Sequence, residues 1–173
     1  MTVVVFETHS TSEDNERGIA TGWLGGTLSR AGRFQAVGLG ARRRDDGIEI
    51  VYASDLNRAV ETARIAFAES DIPVLLDWRL RECDYGSWNG MPRSQLDAER
   101  AAHVDEPWPG GESWREAVAR VSSFLDELDG GRVLVIGHIA THWALEHRVH
   151  GRSLAELAAE EFVWQPGWLY DLS

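Results

Sequence analysis

Two histidines stand at the ends of branched, apolar runs: "VVVFETH" reaches His9 and "RVLVIGH" reaches His138. Such runs read as buried strands, and in an open parallel sheet ligands bind beyond the carboxyl ends of the strands. If the two strands are parallel neighbours, both imidazoles project into one crevice. A third run, "IEIVYAS", ends at Ser54 and enters a helix-like stretch on which Arg58 and Thr62 share a face. The start of that helix offers free backbone N–H groups and a positive dipole end, which suit an anion. Two imidazoles, a guanidinium and a helix N-terminus at one sheet edge describe a phosphate pocket. A single histidine after a strand is ordinarily just a loop residue. The coincidence is what points to phosphate.

The elements that must position these groups alternate along the chain. "TVVVFE", "IEIVYAS" and "RVLVIG" read as buried strands, with "PVLLD" as a shorter one. Residues 29–43 form a helix-like stretch with Ser29 as its N-cap. In 55–69, Leu56, Ala59, Val60, Ala63 and Phe67 recur at helical spacing behind a capping Asp55. Trp114, Val118, Val121 and Leu125 mark one face of a helix over 112–128. Shorter helices are expected over 139–149 and 153–161, and "FVWQPGWLYDL" returns as a final strand or hairpin. This alternation implies an α/β domain with a mostly parallel sheet. With no internal repeat and no linker, residues 1–173 read as one domain.

Composition narrows the chemistry. The 173 residues carry 17 Arg and no Lys against 28 Asp+Glu, a formal net charge of −11. That balance argues against a nucleic-acid partner or an anionic membrane, both of which need a basic footprint. The absence of lysine removes phosphate-loop lysines, Schiff bases and serine–lysine pairs. The single cysteine, Cys83, forms no internal disulfide. No apolar run reaches signal-core or membrane-spanning length, so a cytoplasmic location is expected.

Five blocks then carry a resemblance: "THSTSEDN", "ASDLNRAVETA", "LRECDYGSWNG", "PGGES" and "VLVIGH". In this order and spacing the chain resembles the histidine phosphatase (phosphoglycerate mutase-like) superfamily over nearly its whole length, in particular its small phosphatase branch. The resemblance implies a three-layer α/β/α sandwich and a reaction without metal or organic cofactor. It implies that His9 attacks phosphorus and becomes a phosphohistidine, and that Arg58 and His138 grip the equatorial oxygens. Glu82 would protonate the leaving alkoxide and then activate water, a role that requires it to start protonated. Without the surrounding motif, Glu82 would read as a surface carboxylate paired with Arg81. Thr8, Ser10, Asn15, Thr21, Gly22 and Ile139 are the implied substrate-binding positions. The substrate is expected to be a small phosphorylated metabolite; a homodimer is allowed for.

The sequence departs from the family pattern where it matters most. The family usually reads R-H-G-E, whereas this chain has Thr8, His9, Ser10 and Thr11. One guanidinium of the phosphate clamp is missing, a loss of roughly 1.5–3 kcal/mol per charge-assisted hydrogen bond. Arg17, Arg33, Arg81 and His142 are the candidate replacements, with Thr8 and Ser10 as neutral donors. The departure motivates a second reading, an inactive member that binds a phosphorylated ligand or a protein partner; retention of Glu82 speaks against it. A mutase is disfavoured because the chain from Glu82 to "PGGES" leaves little room for segments that shield a phosphohistidine from water. A metal hydrolase built on His138 and His142, with Glu7, His9 or Asp14, lacks a third ligand at recognisable spacing. Among the tryptophans, Trp23, Trp108 and Trp168 lie in loop-like contexts and would suit an aromatic or terpenoid-sized leaving group.

Overall fold

A computed structural model of the chain describes residues 1–172. In order, the elements are β1 (Thr2–Thr8), α1 (Glu13–Arg17), β2 (Ile19–Ala20), α2 (Arg30–Arg43), β3 (Ile50–Ala53), α3 (Asn57–Ala66) and β4 (Val74–Leu76). There follow β5 (Met91–Pro92), α4 (Arg93–Glu99), α5 (Trp114–Leu125), β6 (Gly131–Gly137), α6 (Ile139–His150), α7 (Leu154–Ala159) and β7 (Trp168–Leu172). The five-stranded sheet has the order β4-β3-β6-β1-β7. Four strands are parallel, and β7 closes the β1 edge antiparallel. The final run is therefore a strand of the main sheet and not a hairpin.

Period-two alternation sorts the strand side chains into two cores. Val5, Val51, Leu134 and Ile136 pack with Leu39, Ala59, Ala63 and Phe67 of α2, α3 and the turn after α3. Val4, Phe6, Val133 and Val135 face the other way, onto Trp114, Val118, Val121, Trp143 and Leu145 of α5 and α6. Sheet and two helical layers make the expected α/β/α sandwich. Both faces of β1 and β6 are covered, which is why these strands read as unbroken apolar runs.

Local chemistry sets the helix ends. Ser29 caps α2 by accepting from the Gly32 N–H, and Ser113 caps α5 in a reciprocal box with Glu116. Asp55 does not cap α3. Its carboxylate is taken by Arg81 at 2.7 Å, and the Ser54 hydroxyl accepts the Leu56 N–H instead. Three features lie outside the sequence expectation: α1, α4 and the two-stranded β2–β5 pairing. Among the described residues no helix is long and apolar enough to cross a membrane.

Candidate active site

Parallel pairing puts Thr8 of β1 opposite Gly137 of β6, and the His9 N–H continues the ladder onto the Gly137 carbonyl at 3.0 Å. The next residue of each strand is therefore a histidine, and the two rings lie 5.0 Å apart at 52°. Within the His9 ring, Nδ1 meets the Ser10 carbonyl at 2.7 Å. A carbonyl only accepts, so Nδ1 carries the hydrogen and Nε2 keeps its lone pair. Burial pushes the His9 imidazole down to about 3, with the Arg58 guanidinium adding to the effect and the Ser10 carbonyl opposing it. The ring is neutral at physiological pH, and the lone pair of Nε2 is available.

His138 is 2% exposed, and burial, followed by the charge of Arg58 and then His9, pushes it well below the usual histidine range. Neither ring nitrogen has a protein partner. A buried imidazole with both nitrogens unoccupied points to a ligand that supplies the missing bonds.

Arg58, on α3, is buried, donating from Nη2 to the Gly22 carbonyl at 2.9 Å and from Nη1 to that of Leu24 at 3.5 Å. Thr62, one turn on, accepts the Ser10 N–H at 3.0 Å and donates to the Arg58 carbonyl at 2.7 Å. The shared helix face thus braces the loop after His9.

Glu82 is 6% exposed and straddles the first turn of α6. Its Oε1 accepts from the N–H groups of Cys83 and Ala140 at 2.9 and 3.1 Å, and Oε2 accepts from Ile139 at 3.2 Å. Both oxygens are thus anchored at the start of α6. Arg81 turns away to Asp55 and stacks over the Trp23 ring at 4.7 Å, so the surface Glu82–Arg81 pair does not form.

His9, Glu82 and His138 meet in a cavity of about 230 Å³, whose lining also includes Thr8, Asn15 and Ile139; Arg58 is buried behind it and is not part of the lining. Ser10 lies in a recess of about 120 Å³ behind His9 and contributes its backbone. Thr21 and Gly22 stay outside the lining: the Thr21 hydroxyl donates to Asp14, and the Gly22 carbonyl receives Arg58. None of the four candidate replacement cations enters. Arg17 pairs with Glu13, Arg33 with Glu61 and Arg81 with Asp55. His142 bonds the Tyr170 hydroxyl and packs among Phe6, Phe162 and Trp168.

The cavity also holds residues that the sequence did not single out for it: Thr11, Gln35, Arg93, Phe162 and Trp164. The expected aromatic wall is made of different residues. Trp108 is fully buried, Trp168 packs on Phe6, and Trp23 donates to the Glu82 carbonyl. Glu7, a conceivable metal ligand, is buried between Arg42 and Arg43 at 2.8 Å from each. Among the described residues no three His, Cys, Asp or Glu side chains gather in a metal-holding arrangement.

Comparison with known proteins agrees with this geometry. A 2,3-bisphosphoglycerate-dependent phosphoglycerate mutase of Neisseria meningitidis is 29% identical over a 213-position alignment, covering 98% of this chain and 94% of that protein. The solved structure of Bacillus stearothermophilus YhfR superimposes with a TM-score of 0.85 at 25% identity, covering 100% of this chain and 92% of the other. A mycobacterial glucosyl-3-phosphoglycerate phosphatase, complexed with VO3, reaches 0.81 at 26% identity, covering 92% and 85%. The family model of the histidine phosphatase superfamily (branch 1) matches residues 5–165, and the chain belongs to that superfamily.

Proposed function

We propose that the protein is a phosphomonoester hydrolase acting through a phosphohistidine on a small phosphorylated metabolite. The observation that carries this reading is the state of His9: Nδ1–H tied to the Ser10 carbonyl and Nε2 left free beside an unpartnered His138. In the first displacement Nε2 attacks phosphorus, the P–O ester bond breaks, and Glu82 gives its proton to the departing alkoxide. In the second, Glu82 takes a proton from water, whose oxygen attacks phosphorus and displaces Nε2. Inorganic phosphate leaves, and Glu82 is again protonated. Arg58 and His138 stabilise the charge on the equatorial oxygens in both steps. Oε2 of Glu82 accepts one N–H where Oε1 accepts two, which leaves Oε2 as the oxygen with room for a proton.

Hydrolysis is favoured over mutase chemistry by length. The 213-position alignment exceeds the 173-residue chain by 40, so the Neisseria mutase has segments with no counterpart here. A phosphohistidine with less cover is open to water. The likeness to the mycobacterial phosphatase supports the same side of the choice.

Phosphate release from a panel of phosphomonoesters, with a chelator present, tests the reading. We expect release by the unmodified protein, none by His9→Ala, and an acid-labile phosphoryl group on His9 after rapid quenching. Binding of esters without release would favour the inactive phosphate-binding member instead.

A further inference from the structure

A phosphoryl group in flight spreads negative charge over three equatorial oxygens. The floor of this cavity meets it with two neutral imidazoles and the neutral Thr8. Arg58 is the buried cation nearby, but two of its five N–H donors serve the Gly22 and Leu24 carbonyls. The other arginines around the site are committed to carboxylates: Arg42 and Arg43 to Glu7, Arg81 to Asp55, Arg120 to Glu112.

Arg93 is different. It lines the same cavity as His9, Glu82 and His138 and borders a second recess with Asp97, Glu160 and Glu161, yet among the described residues its guanidinium makes no hydrogen bond and no ion pair. Its backbone is nevertheless fixed. It directly follows β5, which pairs with β2, and its N–H donates to the Gly18 carbonyl at 2.8 Å. A part-buried guanidinium with a fixed root and an uncommitted fork is built to receive an anion from the cavity. Its charge already acts on both His9 and Arg58.

We propose that Arg93 is the second guanidinium of the phosphoryl clamp, supplying from the α4 side the charge that Thr8 does not. The assignment rests on the phosphatase reading for its catalytic meaning, and it excludes a role for Arg93 in holding a carboxylate on the leaving group. The two roles separate experimentally. Turnover of glycerol 3-phosphate, whose leaving group is neutral, is compared with that of 3-phosphoglycerate for the unmodified protein, Arg93→Met and Arg93→Lys. The inhibition constant of inorganic phosphate is measured alongside.

Arg93→Met should lower kcat/KM by about ten- to hundredfold for both esters alike and weaken phosphate inhibition to a similar degree. Arg93→Lys should recover part of the loss, and Thr8→Arg added to Arg93→Met should recover more. A loss confined to 3-phosphoglycerate, or an unchanged phosphate constant, overturns the assignment. If the unmodified protein hydrolyses no ester, the phosphatase reading fails separately. Calorimetric binding of inorganic phosphate to the protein and to Arg93→Met then still decides: weaker binding upholds the clamp, and equal binding removes it.

Discussion

Trp23 donates its indole N–H to the Glu82 carbonyl at 2.6 Å, and Arg120 reaches the same oxygen at 3.1 Å while also holding the carbonyls of Arg79 and Arg81. Neither side chain lines the cavity, so both are positioning residues for Glu82. Trp23→Phe keeps an aromatic ring beneath Arg81, though a smaller one, and removes one hydrogen bond, worth about 1 kcal/mol. It should lower kcat several-fold with KM nearly unchanged; a change in KM alone would mean that Trp23 contacts substrate. His9 and His138 were legible because each terminates an apolar strand, and Arg58 because its helical spacing to Thr62 is visible in the chain. Glu82 was legible only through its motif, since nothing in "LRECDYG" by itself distinguishes it from a surface carboxylate. Arg93 gave no local signal at all. It follows a proline in a polar stretch, and its place in the cavity depends on a pairing of residues far apart in sequence.

Among the elements, the long periodic ones were legible, and of the short ones β4 and α7 were while α1, α4, β2 and β5 were not. The apolar strands, α3 and α5 repeat their pattern often enough to declare themselves, whereas α2 declared itself by its cap, Ser29. The two-residue strands β2 and β5 are too short for any period, and α1 buries no residue, so its signal is a cap, Ser12 with Asn15, rather than a face. Asp55 failed as a cap because a better partner, Arg81, lies 26 residues away. Packing between α2 and α3 turns on close backbone approach. A Cβ on Gly40 would lie 2.2 Å from the Ala66 carbonyl oxygen, which belongs to backbone and cannot swing aside. Gly40→Ala should therefore cost about 1–3 kcal/mol, read as a lower urea midpoint at unchanged slope. A midpoint within error of the parent would mean that α2 moves off α3 freely.

Over the whole molecule, the two lowered histidines set an acid limit. Both are neutral when folded, whereas an unfolded histidine titrates near 6.5. Between that value and about 3 for His9, the unfolded chain binds more protons than the folded one, so stability falls as pH falls. Asp46 and Asp77, held below the usual carboxylate range despite burial by Arg132 and Arg79 respectively, add their loss only at lower pH. Denaturant midpoints should thus decline already from pH 6.5 to 5, and His9→Gln should flatten that part of the curve; an equal slope would show that His9 titrates normally. The sheet order also divides the site by durability. β1 is hydrogen-bonded on both sides, by β6 and β7, while Arg93 is rooted beside a pairing two residues long. Backbone amides of Val3–Phe6 should exchange with solvent only on global unfolding, and those near Arg93 through local opening. Warming then loosens the hold on phosphate before it disturbs the attacking histidine, and KM should climb at temperatures where the far-ultraviolet signal is still native.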